Sequence, residues 1–171
     1  VLQTGRHESA LSHILARLVG AEDGFVDVGA NIGYFSILLA SQMGEKGRVL
    51  AFEPDADNFA LLSSSVTFNK FQNRITALNV ALSDRDEELV VSDLGNHKNF
   101  GARFTGRSEA ELRQYIHGPN PYFSRIKAIS LDSIVGDQTG SVIKMDIEGF
   151  EPIALQGMQA TIARHRPTLI T

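Results

Sequence analysis

The sequence alternates between short, apolar, β-rich runs and stretches with helical spacing of apolar residues, and this order strongly restricts its fold. The first part reads helix, strand, helix, strand, helix, strand, at residues 10–19, 25–28, 34–42, 48–53, 55–66 and 75–82. Strands separated by helices of this length pair in parallel through right-handed crossovers. Because the strands are almost continuously apolar, helices are expected on both faces of the sheet. The pattern therefore predicts an α/β fold with a doubly wound, mostly parallel sheet in three αβα layers.

The same alternation returns towards the end of the chain, where a strand, two short helices and a strand are predicted at 141–146, 151–156, 159–164 and 167–171. Pro152 falls in the first turn of the first of these helices, where proline is tolerated. With an N-terminal helix inside residues 1–22, the 171 residues are predicted to form a single domain.

Residues 85–124 interrupt this regular order. The segment is polar, and its periodicity is limited to a short strand around Leu89–Val91 and one or two helical turns between Glu109 and Ile116. A stretch this long with so little pattern is typical of an insertion over a binding site. A disordered loop is the alternative.

Composition limits the partners of the protein. The 16 Lys and Arg against 20 Asp and Glu give a net charge of −4, which does not suit nucleic-acid binding. The longest apolar stretch, Phe35–Ala40, is too short to cross a bilayer, and the absence of cysteine excludes disulfides and thiolate zinc sites. We therefore expect no nucleic-acid partner and no membrane span, and no signal peptide is visible. A small-molecule partner and a cytoplasmic location are implied by the family resemblance given below.

One segment, Asp27–Gly33, follows a predicted strand and opens a helix. Gly29 and Gly33 permit a tight turn and a close approach of a ligand to the backbone, and the helix start offers free N–H groups. Glu53 ends the next strand, where a carboxylate can accept both hydroxyls of a ribose. Together these residues indicate a nucleoside cofactor. The alternatives are turn glycines that serve packing and a Glu53 that serves the start of the following helix.

The glycine spacing separates two classes of cofactor. Dinucleotide-binding turns carry G-x-G-x-x-G, whereas this loop has G-x-x-x-G with Asn31 inside it. Asp27, an acidic residue at the end of the first predicted strand, suits a cationic ligand better than a diphosphate. S-adenosylmethionine fits, since it has an ammonium, a sulfonium, a ribose and an adenine but no phosphate. A nicotinamide-dependent oxidoreductase is the rival hypothesis.

Further carboxylates stand where the 141–146 strand ends. Asp146 and Glu148 lie on one side if the strand continues that far, at the sheet edge where open α/β proteins bind ligands. Asp146 can position an acceptor hydroxyl or take its proton, and with Glu148 it can hold a divalent metal through oxygen ligands. Alternatively, Glu148 and Glu151 favour the start of the next helix, and no metal is then needed.

Four short motifs carry a resemblance to a known family. They are D-V-G-A-N-I-G-Y-F-S at 27–36, A-F-E-P-D at 51–55, N-V-A-L-S-D at 79–84 and I-K-M-D-I-E-G-F-E at 143–151. In this order they resemble the motifs of the FkbM family of class I S-adenosylmethionine-dependent methyltransferases. The resemblance covers most of residues 24–170 and is poor in the 85–124 insertion, where substrate choice is expected to lie.

The resemblance implies a seven-stranded sheet and transfer of a methyl group, usually to a hydroxyl of a sugar, polyketide or similar metabolite. It implies that Glu53 holds the ribose and that Asp146 lies close to where the methyl group is presented. Ala81 and Ser83 would lie near the adenine, although Ala81 can equally serve packing. The loop under the methionine half of the cofactor would consist of Asp27, Gly29, Asn31 and Gly33.

For methyl transfer to a hydroxyl, a general base is useful. Besides Asp146, the candidates are His97 and His117 in the insertion, although a loop histidine is more often solvated surface. A relative of the fold that binds a ligand without catalysis is a third hypothesis, and an intact Asp146 speaks against it.

The ends of the chain also enter the prediction. The chain begins with Val1 and stops inside the strand predicted at 167–171, whereas the fold implied by the resemblance needs further strands. We therefore expect a natural protein that is longer at both ends. The uncovered sheet edge predicts a homodimer or poor solubility.

Overall fold

The computed structural model describes residues 9–93, 104–116, 122–135, 140–147 and 149–171. In these residues the strands are β1 (Gly24–Val28), β2 (Arg48–Phe52), β3 (Ile75–Leu78), β4 (Ala81–Leu82), β5 (Glu87–Asp93), β6 (Phe104–Gly106), β7 (Tyr122–Ile129), β8 (Val142–Met145) and β9 (Thr168–Ile170).

The helices of the same residues are α1 (Ser9–Leu18), α2 (Tyr34–Gln42), α3 (Ala56–Phe68), α4 (Glu109–Leu112), α5 (Glu151–Gln156) and α6 (Gln159–His165), with a 3-10 turn at Leu131–Ser133. Local sequence explains their starts: Asp55, for example, caps α3 by accepting a hydrogen bond from the Asn58 N–H at 2.9 Å. None of the helices within the described residues has the length and apolar character needed to cross a membrane.

A parallel main sheet has the strand order β3-β2-β1-β8-β9. β1 lies between β2 and β8, and the chain leaves β1 for α2 and leaves β8 for α5. Every strand residue of β8 is buried, as expected for a central strand covered on both faces. The predicted doubly wound α/β architecture is confirmed.

Two separate apolar cores lie on the two faces of the main sheet. On one face, Leu15 of α1, Leu39 of α2 and Leu62 of α3 pack against strand residues that include Phe25 and Val142. On the other face, the core consists of Val26, Val28, Phe52, Leu82, Leu131, Ile143, Met145, Ala154 and Met158. The alternation of these strand residues between the cores builds the three αβα layers.

The third predicted strand, 75–82, is wrong as a single element. The structure divides it into β3, which ends the main sheet, and β4, which pairs with β7 in a second sheet. Between them, the Asn79 side chain donates hydrogen bonds to the carbonyls of Glu53 at 2.9 Å and Pro54 at 3.1 Å. These bonds hold a turn there, and the chain leaves the main sheet.

The second sheet has the order β4-β7-β5-β6, with β5 antiparallel to both of its neighbours. Its strands belong to the connection between β3 and β8, and part of it occupies the 85–124 insertion. The described part of that insertion contains strand residues and a single helical turn. Leu89 and Ala128 of this sheet pack against Phe150, beside the start of α5.

Candidate functional site

The candidate site lies at the carboxyl ends of β1, β2 and β8. Because the chain turns from β1 to one face of the sheet and from β8 to the other, a crevice opens between their ends, which is where open α/β sheets bind ligands. The Asp146 N–H continues the pairing by donating to the Val28 carbonyl at 3.1 Å. The two strands therefore stay in contact up to the edge of the site.

Residues 29–33, the glycine loop, make the turn from β1 into α2. Gly29, Asn31 and Gly33 have φ angles of +73°, +52° and +88°. A Cβ at Gly29 would come within 2.1 Å of the Asp146 carbonyl oxygen, and one at Gly33 within 2.5 Å of a Leu62 methyl carbon. Glycine is thus required at both ends of the loop by backbone angle and by space.

The glycine loop is held from β2 by backbone hydrogen bonds. The N–H groups of Gly29 and Ala30 both donate to the Phe52 carbonyl, at 3.0 and 2.9 Å. Asn31 keeps its own conformation through its side-chain oxygen, which accepts from the Ile32 N–H at 2.8 Å. Gly33 then caps α2 without a side-chain hydrogen bond, so the start of this helix faces the crevice with uncapped N–H groups.

Glu53 lies beside the glycine loop and is 6% exposed. One carboxylate oxygen accepts from the Asn31 N–H at 2.7 Å and the other from the Asp55 N–H at 3.0 Å. Burial raises the pKa of Glu53 above its ordinary value, against the opposing effect of those two N–H groups. The Asn58 side chain also donates to this carboxylate. With about four lone-pair sites in all, the carboxylate keeps some acceptor capacity that a ligand hydroxyl can use.

Asp27 is placed beneath the glycine loop and is fully buried. One oxygen accepts from the Ser36 hydroxyl at 2.7 Å. The other lies 3.3 Å from the ammonium nitrogen of Lys144, which is itself 4% exposed. The carboxylate therefore has a cation of its own and presents no surface to a ligand, so its effect on a ligand is transmitted through the loop.

Asp146 follows β8 and its side chain is exposed next to Gly29. The residue after it, Ile147, donates its N–H to the Glu151 carboxylate at 3.1 Å. Glu151 thus holds the first residues after β8 against the start of α5. This gives Glu151 the role at the helix start that the sequence suggested for it as an alternative, while Asp146 lies exposed after the end of β8.

Ala81 and Ser83 lie farther along the chain, where the second sheet begins. Ala81 pairs with Ala128 and packs in the small core of that sheet. Ser83 is fully buried, and its hydroxyl donates to Glu87 at 2.5 Å. Their placement near an adenine stays a prediction.

Arg107 joins this region to β6. Its guanidinium pairs with Asp84 and, at 3.2 Å, with Glu87. The hydrogen bond from Arg107 lowers the pKa of Asp84. The loop after β4 and the second sheet are thereby tied together by charge.

Three candidates from the sequence, His97, His117 and Glu148, lie outside the described residues. Among the residues that are described, no group of three or more His, Asp or Glu side chains is arranged to hold a metal ion. A groove of about 700 Å³ runs along α2 between α1 and α3, and its wall reaches the glycine loop at Ile32 and Gly33.

Two residues that position the site were missed in the sequence, Lys144 and Ser36. Both are buried polar residues of apolar elements that pack under the glycine loop. The signal for Lys144 was present: it is a charged residue inside the otherwise apolar strand β8, as Asp27 is inside β1. Opposite charges in neighbouring buried strands predict a pair, because an unpaired buried charge is too costly.

Comparison with known proteins assigns these features to a family. The sequence of residues 27–171 matches the methyltransferase FkbM domain. A solved structure, methyltransferase FkbM from Methylobacillus flagellatus KT, is similar with a TM-score of 0.59 at 24% sequence identity over 88% of this chain. The present chain spans 32% of the length of that protein. No curated protein is significantly similar in sequence.

Two other solved structures are similar over a smaller part of the chain. An O-methyltransferase from Bacillus cereus in complex with SAH has a TM-score of 0.38 and 20% identity, over 45% of this chain and 36% of its own. An rRNA methylase from Streptococcus thermophilus has a TM-score of 0.39 and 18% identity, over 46% of this chain and 45% of its own.

The family match begins at Asp27 in β1 and includes the glycine loop, Glu53 and the Asp146 region, which are the parts that form the crevice. The similar solved structure has the same fold over most of the chain. This chain belongs to the methyltransferase FkbM domain family.

Proposed function

We propose that the protein is an S-adenosylmethionine-dependent methyltransferase that methylates a hydroxyl group of a small metabolite such as a sugar or a polyketide. The observation that carries the proposal is the Glu53 carboxylate, which lies beside the glycine loop and keeps part of its acceptor capacity. Membership of the FkbM domain family supports methyl transfer. A cytoplasmic location, a homodimer and the exclusion of nucleic acid stay predictions.

The residues of the crevice fit a cationic nucleoside cofactor better than a dinucleotide. The start of α2 offers N–H groups that a diphosphate can use, but Lys144, the cation under the loop, is buried and paired with Asp27. Glu53 can serve the ribose of either cofactor. The G-x-x-x-G spacing, which lacks the glycines of a dinucleotide turn, therefore favours S-adenosylmethionine over NAD.

In the proposed arrangement, Glu53 accepts the two ribose hydroxyls and the glycine loop carries the methionine half of the cofactor. Ala81 and Ser83 stay candidates for the adenine side. When bound, S-adenosylmethionine supplies a methyl group on a sulfonium, which is already a good leaving group. The protein's part is to hold the acceptor oxygen close to that methyl group and in line with its bond to sulfur.

Asp146 is the proposed group for the acceptor. Its exposed carboxylate stands next to Gly29 at the open end of the crevice. It can accept a hydrogen bond from the acceptor hydroxyl, orient it, and take its proton as the oxygen is methylated. A metal held by Asp146 and Glu148, or a base role for His97 or His117, stays a prediction.

Calorimetric titration with S-adenosylhomocysteine tests the cofactor, with NADH as the competing ligand. We expect binding of S-adenosylhomocysteine and none of NADH. The Glu53→Ala variant should lose roughly 1.5–3 kcal/mol of binding free energy, the scale of hydrogen bonds to a charged group. Glu45→Ala is the matched control, since Glu45 is an exposed carboxylate in the turn between α2 and β2.

Absence of S-adenosylhomocysteine binding by the folded protein would overturn the proposal, and an unchanged affinity of Glu53→Ala would remove Glu53 from the ribose site. A turnover assay across hydroxylated acceptors, with Asp146→Asn as the variant, separates a catalyst from a ligand-binding relative. Loss of turnover with S-adenosylhomocysteine affinity retained is expected for Asp146→Asn.

A further inference from the structure

Asp27 and Lys144 form a cross-strand pair at the centre of the main sheet. They are direct neighbours in the parallel register of β1 and β8. The next residues in the same row across the sheet are Ala51 on one side and Ile170 on the other. The two charges therefore lie side by side in an otherwise apolar row, under the helices that cover this face.

The ammonium group of Lys144 makes its directed contact elsewhere. Its nitrogen donates a hydrogen bond to the Gly29 carbonyl at 3.0 Å. It lies 3.3 Å from the nearer oxygen of Asp27, yet that oxygen has no hydrogen-bond partner among the described residues. The two observations agree if the Asp27 contact is an ion pair without a well-directed hydrogen bond. The donor of Lys144 is thus aimed at the glycine loop.

The first residue of the glycine loop is consequently fixed from two sides. The Gly29 N–H is held by the Phe52 carbonyl of β2, and the Gly29 carbonyl is held by Lys144 of β8. Gly29 has a positive φ, which glycine adopts about as readily as a negative one, so the two anchors select one of several accessible conformations. The Phe35 ring, 5.4 Å from the Lys144 nitrogen, closes the pocket of the ammonium group.

Stability does not account for a lysine at this position. A buried ion pair is commonly no more stabilising than well-packed apolar residues of similar size, because both charges must be desolvated. An apolar pair at positions 27 and 144 would satisfy the core. It would leave the Gly29 carbonyl without its donor, and Gly29 would lose one of its two anchors.

We propose that Lys144 is a positioning residue of the cofactor-binding loop: its ammonium group sets the orientation of the Gly29 peptide, and Asp27 balances the charge of that ammonium group inside the sheet. The proposal rests on the proposed function in one respect, which is that the glycine loop holds the methionine half of S-adenosylmethionine. Lys144 itself does not touch the ligand.

The test compares three variants by calorimetric titration with S-adenosylhomocysteine and by thermal unfolding. Lys144→Met removes the donor and leaves Asp27 as an unpaired buried charge, so both stability and affinity should fall. Asp27→Asn keeps the lysine side chain whose nitrogen donates to the Gly29 carbonyl. Its affinity should change by no more than roughly threefold, the scale of a small indirect effect.

The double variant Asp27→Asn, Lys144→Met separates the two roles of the lysine. It contains no unpaired buried charge, so its midpoint of unfolding should recover above that of Lys144→Met. Its affinity for S-adenosylhomocysteine should stay weaker than that of Asp27→Asn by about tenfold or more, because the Gly29 carbonyl still lacks its donor. A structural role alone would make affinity recover together with stability.

Each outcome decides the question. Wild-type affinity in a folded double variant would overturn the inference, and so would an Asp27→Asn variant that binds as weakly as Lys144→Met. If the double variant does not fold, the Asp27→Asn arm decides by itself. A folded wild-type protein that fails to bind S-adenosylhomocysteine would instead overturn the proposed function, which distinguishes the two failures.

Discussion

Asp27 and Glu53 are both buried carboxylates at the carboxyl ends of neighbouring strands, but the protein compensates them differently. Asp27 is fully enclosed and has a cation, Lys144, and a hydroxyl, Ser36. Glu53 is reached by two backbone N–H groups, and burial raises its pKa. The charge of Asp27 is balanced by the protein itself, whereas part of the hydrogen-bonding capacity of Glu53 stays available to a ligand.

The comparison shows why an acidic residue at a strand end does not by itself indicate ligand contact. From the sequence alone, Asp27 and Glu53 are equally good candidates for direct contact with the cofactor. In the structure, the position of Lys144 decides between them, since a neutralised and enclosed carboxylate offers a ligand neither charge nor surface. Asp27 acts on the site through the glycine loop, and Glu53 borders the crevice directly.

The largest expected effect comes from substitution of Gly29. Its N–H is bonded to Phe52, the residue before Glu53, and its carbonyl is bonded to Lys144, the partner of Asp27. Gly29→Ala places a Cβ against the Asp146 carbonyl at a positive φ, and should lower the free energy of unfolding by about 3 kcal/mol, from strain and overpacking together. Urea unfolding measures this loss. S-adenosylhomocysteine binding should be lost as well.

Gly149→Ala is the matched control for Gly29→Ala. Gly149 also has a positive φ, of +94°, but an added Cβ would meet nothing within 4 Å. The cost should be about 1 kcal/mol, from the backbone conformation alone. Equal losses in the two variants would mean that the close approach of Gly29 to Asp146 is unimportant.

A smaller effect is expected on the Asp27 side. Ser36→Ala removes the hydrogen bond to Asp27 and should lower the free energy of unfolding by roughly 1.5–3 kcal/mol, because the acceptor is a buried charged group. Ser41→Ala, an exposed serine of the same helix that donates to the Leu38 carbonyl, should change stability by less than about 0.5 kcal/mol. If the two variants lose the same amount, Asp27 does not depend on Ser36.

The smallest effect is expected on the Glu53 side and appears as a dependence on pH. Because the pKa of Glu53 is raised in the folded protein above 4.5, the native state binds this proton more tightly than the unfolded chain. The Glu53 contribution to stability therefore falls as the pH rises from 4.5 through the raised pKa. Its slope is at most about 1.4 kcal/mol per pH unit, the limit for one proton.

Glu53→Gln isolates this contribution, since the amide has no proton to lose in this range. The difference in unfolding free energy between wild type and Glu53→Gln, measured from pH 4.5 to 7, should decrease as the pH rises. Parallel curves would contradict a raised pKa. The affinity of the wild type for S-adenosylhomocysteine should weaken as the pH falls and Glu53 becomes protonated. The affinity of Glu53→Gln should not show this decrease at low pH.

Much of the main sheet is predictable from sequence because its signals are local. Apolar runs, helical spacing and the loop glycines specify β1, α2 and β2 within a few residues, and parallel pairing follows from their order. The roles of Gly29 and Gly33 follow in the same way, since a turn from strand to helix in this space requires positive φ angles.

The second sheet and the buried pair are less accessible to sequence reasoning. β5 pairs with β7 across residues that show little periodicity, so the pairing depends on contacts that are distant in sequence. The division of the third strand depends on Asn79, whose amide bonds two carbonyls of the loop after β2. The partner of Asp27 lies in β8, far along the chain, and only the sheet order brings them together.

The connection between β3 and β8 has a consequence for protein engineering. The connection leaves the main sheet after Leu78, and the chain returns to that sheet at Val142. The strands of the main sheet pair with one another and not with the strands of the connection. A graft of this connection from a relative needs to preserve the turn at Asn79 and the apolar cover supplied by Leu82 and Leu131. Chimeras joined at these two points therefore test whether this connection sets the proposed acceptor preference while the glycine loop and Glu53 are kept.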